Sequence, residues 1–274
     1  MITEANRRKL PFYDEPPVTQ VGYGIIFEPL EGLLSPHIGL LWELFQPEYP
    51  YCDDFAPIDP DIELFDGQNG IEPQLEISDI PELPRVLFMN QDETRVVQIQ
   101  RNGFVYNWKK AGINNEYPRY DSLIAEFQKN LAGFDDFLHE FELGRIQPLQ
   151  YELTYINEIP QGEAWLTLED IGKIFPDISW QKNTLRFLAN PQKIAWDAVF
   201  ELPDKTGRLY TSIKSIKIEE ESILFFEMTV RGIGNYTSRE VLQDWFGIAH
   251  EWIVSAFTDL TDNETQTKIW KRRS

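Results

Sequence analysis

Two stretches of the chain carry apolar residues on a helical period. Ile124, Phe127, Leu131, Phe134, Leu138 and Phe141 recur at alternating intervals of three and four, and so do Leu242, Phe246, Ala249, Ile253, Ala256 and Leu260. Such spacing puts every apolar side chain on one stripe of a helix, suited to lying across a sheet. The first helix is expected to start near Asp121, a residue type that caps helix N-termini. For the second, Thr237-Ser238-Arg239-Glu240 has the form of a capping box. Two shorter apolar runs, Ile38–Phe45 and Leu168–Phe175, predict short helices, each stopped by a proline, Pro47 and Pro176.

Between the helices the pattern changes to alternation and β-branched runs. Thr19–Leu30, Arg85–Asn90, Arg95–Gln100 and Phe104–Trp108 predict strands in the first part. Asn102-Gly103 joins the last two as a hairpin, because both residues tolerate positive φ. In the second part, Tyr151–Ile159, Thr184–Ala189, Ile194–Leu202, Leu209–Ile218 and Ile223–Val230 read as strands. The order strand, short helix, several strands, long helix therefore occurs twice. This predicts an α+β protein of two similar halves, residues 1–147 and 148–274, with three strands after the first short helix and four after the second. Each half would place a long helix on an antiparallel sheet, in the manner of helix-grip or TATA-binding-protein-like arrangements. That likeness of element order carries no function with it.

Pro47–Pro84 interrupts the pattern. Its seven prolines oppose both helix and ladder, and it holds eleven acidic residues. It predicts a long loop, residues 47–84, anchored by Tyr49, Tyr51, Phe55 and Phe65, within a span from Leu10 to Pro84 that lacks any lysine or arginine. Loops of such length inside compact proteins are usually functional or mobile.

Charge narrows the function classes. The 274 residues carry a formal net charge of −20, which repels a phosphate backbone and makes nucleic acid an unfavourable partner. No apolar run is long enough to span a bilayer, and the first residues lack the apolar segment of a secretory signal, so a cytoplasmic protein without membrane contact is expected. Cys52 is the single cysteine, which excludes an internal disulfide, and neighbouring Asp53 and Asp54 oppose its thiolate. His37, His139 and His250 are far apart in sequence and show no metal-ligand spacing. Asp197 and Glu227 are expected on the solvated side of strands, and Gly232-Ile233-Gly234-Asn235 lacks the frame of a phosphate-binding loop. No catalytic residue, metal site or cofactor is indicated.

The densest basic and aromatic neighbourhood surrounds the first hairpin. Arg95, Arg101, Lys109, Lys110 and Arg119 interleave with Phe104, Tyr106, Trp108, Tyr117 and Tyr120. One reading is a stacking platform for a nucleotide or single strand. The other, preferred, packs the aromatics beneath the long helix while the basic residues balance the acidic loop, which becomes a displaceable cover. Arg95, Arg101, Tyr106, Trp108, Lys109, Arg119 and Tyr120 are the candidate binding residues.

The segments EPPVTQVGYGIIFEP, LLWELFQPEYP, VVQIQRNGFVYNWKK, EYPRYDSLIAEF, YELTYINEI and FGIAHEWIVSAFTDL, with Trp270 near the end, resemble an uncharacterised, sporadically distributed bacterial protein family of similar length. The resemblance implies a bacterial source and an accessory or mobile locus, and it brings no assigned activity. With the empty search for catalytic groups, it favours a non-enzymatic binding or regulatory protein that recognises a protein partner encoded nearby. The alternative is a helix-grip sensor or enzyme holding a small molecule or nucleotide between sheet and long helix, with Tyr106, Trp108 or Trp196 lining the cleft.

Overall fold

The computed structural model describes residues 10–63, 83–112, 116–180, 187–203, 206–218, 221–233 and 239–273. The first part runs β1 (Phe12–Tyr13), β2 (Val18–Phe27), α1 (Ser35–Phe45), β3 (Tyr51–Phe55), β4 (Arg85–Met89), β5 (Arg95–Gln100), β6 (Gly103–Lys109) and α2 (Tyr120–Glu140). The second runs β7 (Pro148–Pro160), a 3-10 helix (Leu168–Lys173), β8 (Ala195–Glu201), β9 (Arg208–Ile218), β10 (Glu221–Ile233), α3 (Arg239–Leu260), α4 (Asn263–Lys268) and β11 (Arg272–Arg273). The result is α+β.

Nine strands form one sheet in the order β3-β4-β5-β6-β2-β7-β10-β9-β8. Every neighbouring pair is antiparallel. At its centre β2 pairs with β7, setting Val21 opposite Tyr155, Tyr23 opposite Leu153 and Ile25 opposite Tyr151. Strand alternation sends these side chains to one face, together with Phe104, Tyr106 and Trp108 of β6 and Phe226, Met228 and Val230 of β10, all buried.

The helices cover that face. In α2, Phe127 stacks on Tyr23 at 5.3 Å and Phe134 on Phe104 at 5.5 Å. In α3, Phe246 touches the rings of Tyr23, Phe127 and Tyr151. Helix α1 joins the same layer through Phe45, which stacks on Phe88 of β4. Burying several aromatic side chains in one cluster, each worth roughly 2–3 kcal/mol of apolar transfer, makes this layer the core.

The opposite face carries the alternate residues: Gly22 and Gly24 of β2, Glu152 and Thr154 of β7, Thr229 and Arg231 of β10, and Arg208 and Tyr210 of β9. No helix of the described residues packs there. None is long and apolar enough to cross a membrane.

Several expectations change. The 47–84 segment is not wholly loop: Tyr51–Phe55 forms β3, an edge strand paired with β4. Tyr49 is buried, but Tyr51 and Phe55 are about half exposed and anchor little. Phe65 lies outside the described residues. Four strands, not three, follow the first short helix; three described strands follow the second, and of the expected strand Thr184–Ala189 the described residues 187–189 are not in a strand. Its first residues lie outside the described set, and Phe187 stands almost fully exposed. Asp121 sits in the first turn of α2, whereas the residue at the cap is Arg119, whose side chain makes no capping bond. The expected capping box at 237–240 falls outside the residues whose side chains are described. The second short helix is 3-10 in form, with Thr167 and Asp170 closing a capping box. Phe141, last of the first stripe, lies just past the helix end and is exposed.

Candidate functional site

A cavity of about 550 Å³ opens between the sheet, the start of α2 and the Gly247–Phe257 part of α3. Val18, Tyr155, Asn157 and Met228 form its floor, and Gly247, His250 and Ile253 of α3 form one wall. The segment 117–121 that leads into α2 forms the other wall, and residues 10–16 close over it.

The elements that place these groups are held from outside. Tyr13 of β1 bonds through its hydroxyl with Thr258 at 2.9 Å and packs edge-on against Phe257. Its hydroxyl also donates to Oε1 of the buried Gln266, an oxygen that accepts from Arg272 of β11 at 2.7 Å as well. The chain ends therefore form a clasp, β1 paired with β11, across the mouth. Arg119 completes it. Its backbone sits at φ 73°, a region that costs a non-glycine residue on the order of 1 kcal/mol or more. Its guanidinium donates to the Tyr13 carbonyl at 2.8 Å and lies over the Phe12 ring at 4.4 Å.

Arg119, Asp121 and Glu251 are the charged residues of the lining, and the other polar groups are neutral. The hydroxyls of Tyr117 and Tyr155 share one hydrogen bond of 2.8 Å, and the Tyr117 oxygen keeps acceptor capacity for a ligand. Burial pushes the Tyr117 hydroxyl up to about 12 and that of Tyr155 well above its ordinary value, so both stay protonated. His250 stacks on Tyr120 with centroids 4.1 Å apart and planes within 11°. Burial drives its pKa down to about 4, so the imidazole is neutral at physiological pH and offers one donor and one acceptor.

Gly247 supplies the room. It lies mid-helix in α3, lines the cavity, and a Cβ built on it would meet nothing within 4 Å. Glycine there costs roughly 0.5–1 kcal/mol relative to alanine. Gly39 and Gly133 also face open space from helices, but they do not line this cavity.

The seven residues singled out from sequence do not meet at one site. Arg119 and Tyr120 line the cavity. Tyr106 and Trp108 are wholly buried under the helix layer and line no part of it, so they are unavailable for stacking; Trp196 stands on the edge strand β8. Arg95 binds Glu126 of α2 at 2.8 Å, and the Tyr106 hydroxyl donates to the same carboxylate. Burial opposes ionisation of Glu126, but these two hydrogen bonds outweigh it and hold its pKa below the usual range. Arg101 lies near Glu31 beside the β5–β6 turn, and Lys109 is exposed at the end of β6. Glu126 and Glu31, the carboxylates that Arg95 and Arg101 meet, both lie outside residues 47–63.

The described part of the acidic segment has partners of its own. Residues 56–63 cross the open face of the sheet. Gln100 of β5 bonds both the N–H and the C=O of Ile58, at 3.2 and 2.8 Å. Gln150 of β7 accepts from the Glu63 N–H at 2.7 Å and donates to the Asp61 carbonyl at 2.9 Å. Asp61 pairs with Arg231 at 2.6 Å, and Glu63 receives both Arg208 and the Tyr210 hydroxyl.

Among the described residues no cluster of three or more His, Cys, Asp or Glu side chains could hold a metal ion. His37 accepts from the Leu34 N–H at the start of α1. Cys52 is exposed on β3, its pKa raised by partial burial and then by Asp54 and Asp53.

No protein-family model matches this chain, and no curated protein matches it.

Tyr117 and Tyr120 were legible as an aromatic cluster. In the sequence His250 stands out only as a candidate metal ligand, and Tyr155, Gly247 and the Arg208–Arg231 pair do not stand out as site residues. Gly247 inside the α3 pattern is a local signal toward the cavity, one that Gly133 in α2 shares without lining it.

Proposed function

We propose that this protein binds a planar, uncharged small molecule in the cavity between sheet and long helices, as a sensor with no chemical step of its own. The cavity itself carries the reading: about 550 Å³, within the usual range for ligand sites, lined mainly by aromatic and apolar side chains. Arg119 is the cation among its described lining residues, and its guanidinium is engaged by backbone carbonyls. Asp121 and Glu251 stand on the same walls. A phosphorylated ligand would meet uncompensated repulsion there, so a nucleobase, nucleoside or other flat heterocycle fits better than a nucleotide. The twice-occurring order of strand, short helix, strands and long helix supports a duplicated helix-grip unit, with the ligand where the two long helices face each other.

Saturation-transfer NMR with adenosine, uridine, indole and lumichrome tests this. At least one should give a signal that Gly247→Leu abolishes, since the new side chain fills the cavity. No Leu-sensitive signal from any of the four, or tighter binding of the phosphorylated forms, would count decisively against it.

A second reading, recognition of a partner protein, has its own support in the other face of the sheet, where an acidic stretch of the chain is already seated.

A further inference from the structure

Arg208 of β9 and Arg231 of β10 are directly paired across their ladder, and alternation places both on the open face. Like charges directly opposite are destabilising, so this pair is stable only with anions beside it. Glu152, cross-strand from Arg231, supplies one at 3.1 Å. Asp61 and Glu63 supply the rest.

The manner of seating is specific to a peptide. Gln100 reads both backbone groups of one residue, Ile58, and Gln150 reads the Asp61 carbonyl and the Glu63 N–H. Each side-chain amide thereby offers the donor and acceptor that a neighbouring strand would offer. Gln150 is held by Glu152 at 2.8 Å and Gln100 by Asn102 at 2.6 Å, so partners within the sheet orient both clamps. The arginines and Tyr210 then read carboxylates two residues apart. A phosphodiester chain has no N–H to meet the Gln100 and Gln150 carbonyl oxygens.

The hold is also light. Pro57 and Pro60 keep the segment out of any ladder, Ile58 remains 52% exposed, and the Asp61 side chain is 82% exposed. The Asp61–Arg231 pair, open to water, contributes little, and the Glu63 carboxylate, 5% exposed beside Arg208, is the deeper anchor. The segment lies on a finished sheet and no strand needs it for pairing.

We propose that this face is a docking site for an acidic, extended segment of a partner protein, with carboxylates two residues apart, and that residues 56–63 occupy it in cis as a competing ligand. The proposal rests on the partner-protein reading and narrows it to one surface and one chemistry. The tethered segment enjoys a high effective concentration, so the partner must out-compete it or arrive when it is released.

The test uses the full chain and a fluorescein-labelled peptide of residues 56–63, APIDPDIE, read by anisotropy. The double variant Asp61→Asn/Glu63→Gln weakens the cis segment, and it should bind the peptide at least tenfold tighter than the unaltered protein. Adding Gln150→Ala or Arg208→Ala to it should cost at least tenfold, and binding should weaken as salt rises. A single cooperative thermal transition in the double variant, shifted upward when the peptide binds, certifies that the sheet is intact. Equal binding by the double variant and the unaltered protein overturns the proposal. So does equal binding of a peptide carrying Asn and Gln in place of the two acids, or displacement of the peptide by oligothymidylate at equal concentration. A native-host pull-down whose enriched protein is insensitive to Arg208→Ala would overturn this site and leave partner recognition standing.

Discussion

Tyr120 and His250 lie ring against ring, 4.1 Å between centroids and nearly parallel, one at the start of α2 and the other in the middle of α3. The stack joins the two long helices where the sheet beneath them opens into the cavity. Because the imidazole is buried there, the folded protein refuses a proton that the unfolded chain accepts.

Stability should therefore fall in mild acid. The folded pKa of His250 is about 4 against an ordinary 6.5, a depressed value. The neutral form is unopposed above 6.5, and stability is lost as pH falls from there toward 4. At about 1.4 kcal/mol per unit, the loss is on the order of 2–3 kcal/mol. Urea unfolding at pH 7, 6, 5 and 4.5 should show this slope, and His250→Phe, which keeps a ring on Tyr120, should flatten it.

Gly247→Ala should stabilise the ligand-free protein by roughly 0.5–1 kcal/mol. The added Cβ meets nothing within 4 Å, and the helix gains propensity. Differential scanning calorimetry should show a higher Tm, while ligand binding weakens as the cavity narrows. A lower Tm would mean that the helix is not as open there as described.

Glu126 gathers Arg95, Tyr106 and, at 3.3 Å, Ser122 on one carboxylate. Glu126→Gln should cost roughly 1–3 kcal/mol at pH 7, by weakening charge-assisted bonds. Because the folded pKa is depressed, the contribution of the charge is present above the ordinary carboxylate range and lost as pH falls through it. The variant's deficit should therefore shrink below about pH 4, which chemical denaturation at the two pH values would reveal.

Phe246→Ala should cost about 3–5 kcal/mol. Its ring touches Tyr23, Phe127, Tyr151 and Trp245, so truncation opens a void where both helices and the two central strands meet. A denaturation midpoint close to that of the unaltered protein would show that the neighbours collapse into the space.

The elements with a strong period were plain in the sequence. Both helix stripes, the Asn102-Gly103 hairpin and the alternation of Tyr151, Leu153 and Tyr155 follow from local geometry that each residue carries with it. β3 was hidden because Tyr51–Phe55 lies among prolines and acids and is exposed along its length, so no burial pattern marks it. The sites were harder. Arg208 and Arg231 become neighbours only through the register of β9 on β10, and Tyr155 meets Tyr117 only because residues from both parts of the chain close on one space. The basic hairpin looked like a surface because its charges and rings alternate, yet that alternation is what sends Tyr106 and Trp108 inward and leaves Lys109 out.

The pairing of β2 with β7 also governs how the chain can fold. Thr19 reaches Ile156, 137 positions later, so the central seam closes only after nearly everything between has been made. Closing so long a loop is slow, and relative contact order of this kind lowers folding rates. Until it closes, β2 presents a full-length unpaired edge beside β6, a template for pairing with other chains. During synthesis the first part must wait with that edge open, and the sheet's middle, not its rim, is the place where misassembly begins.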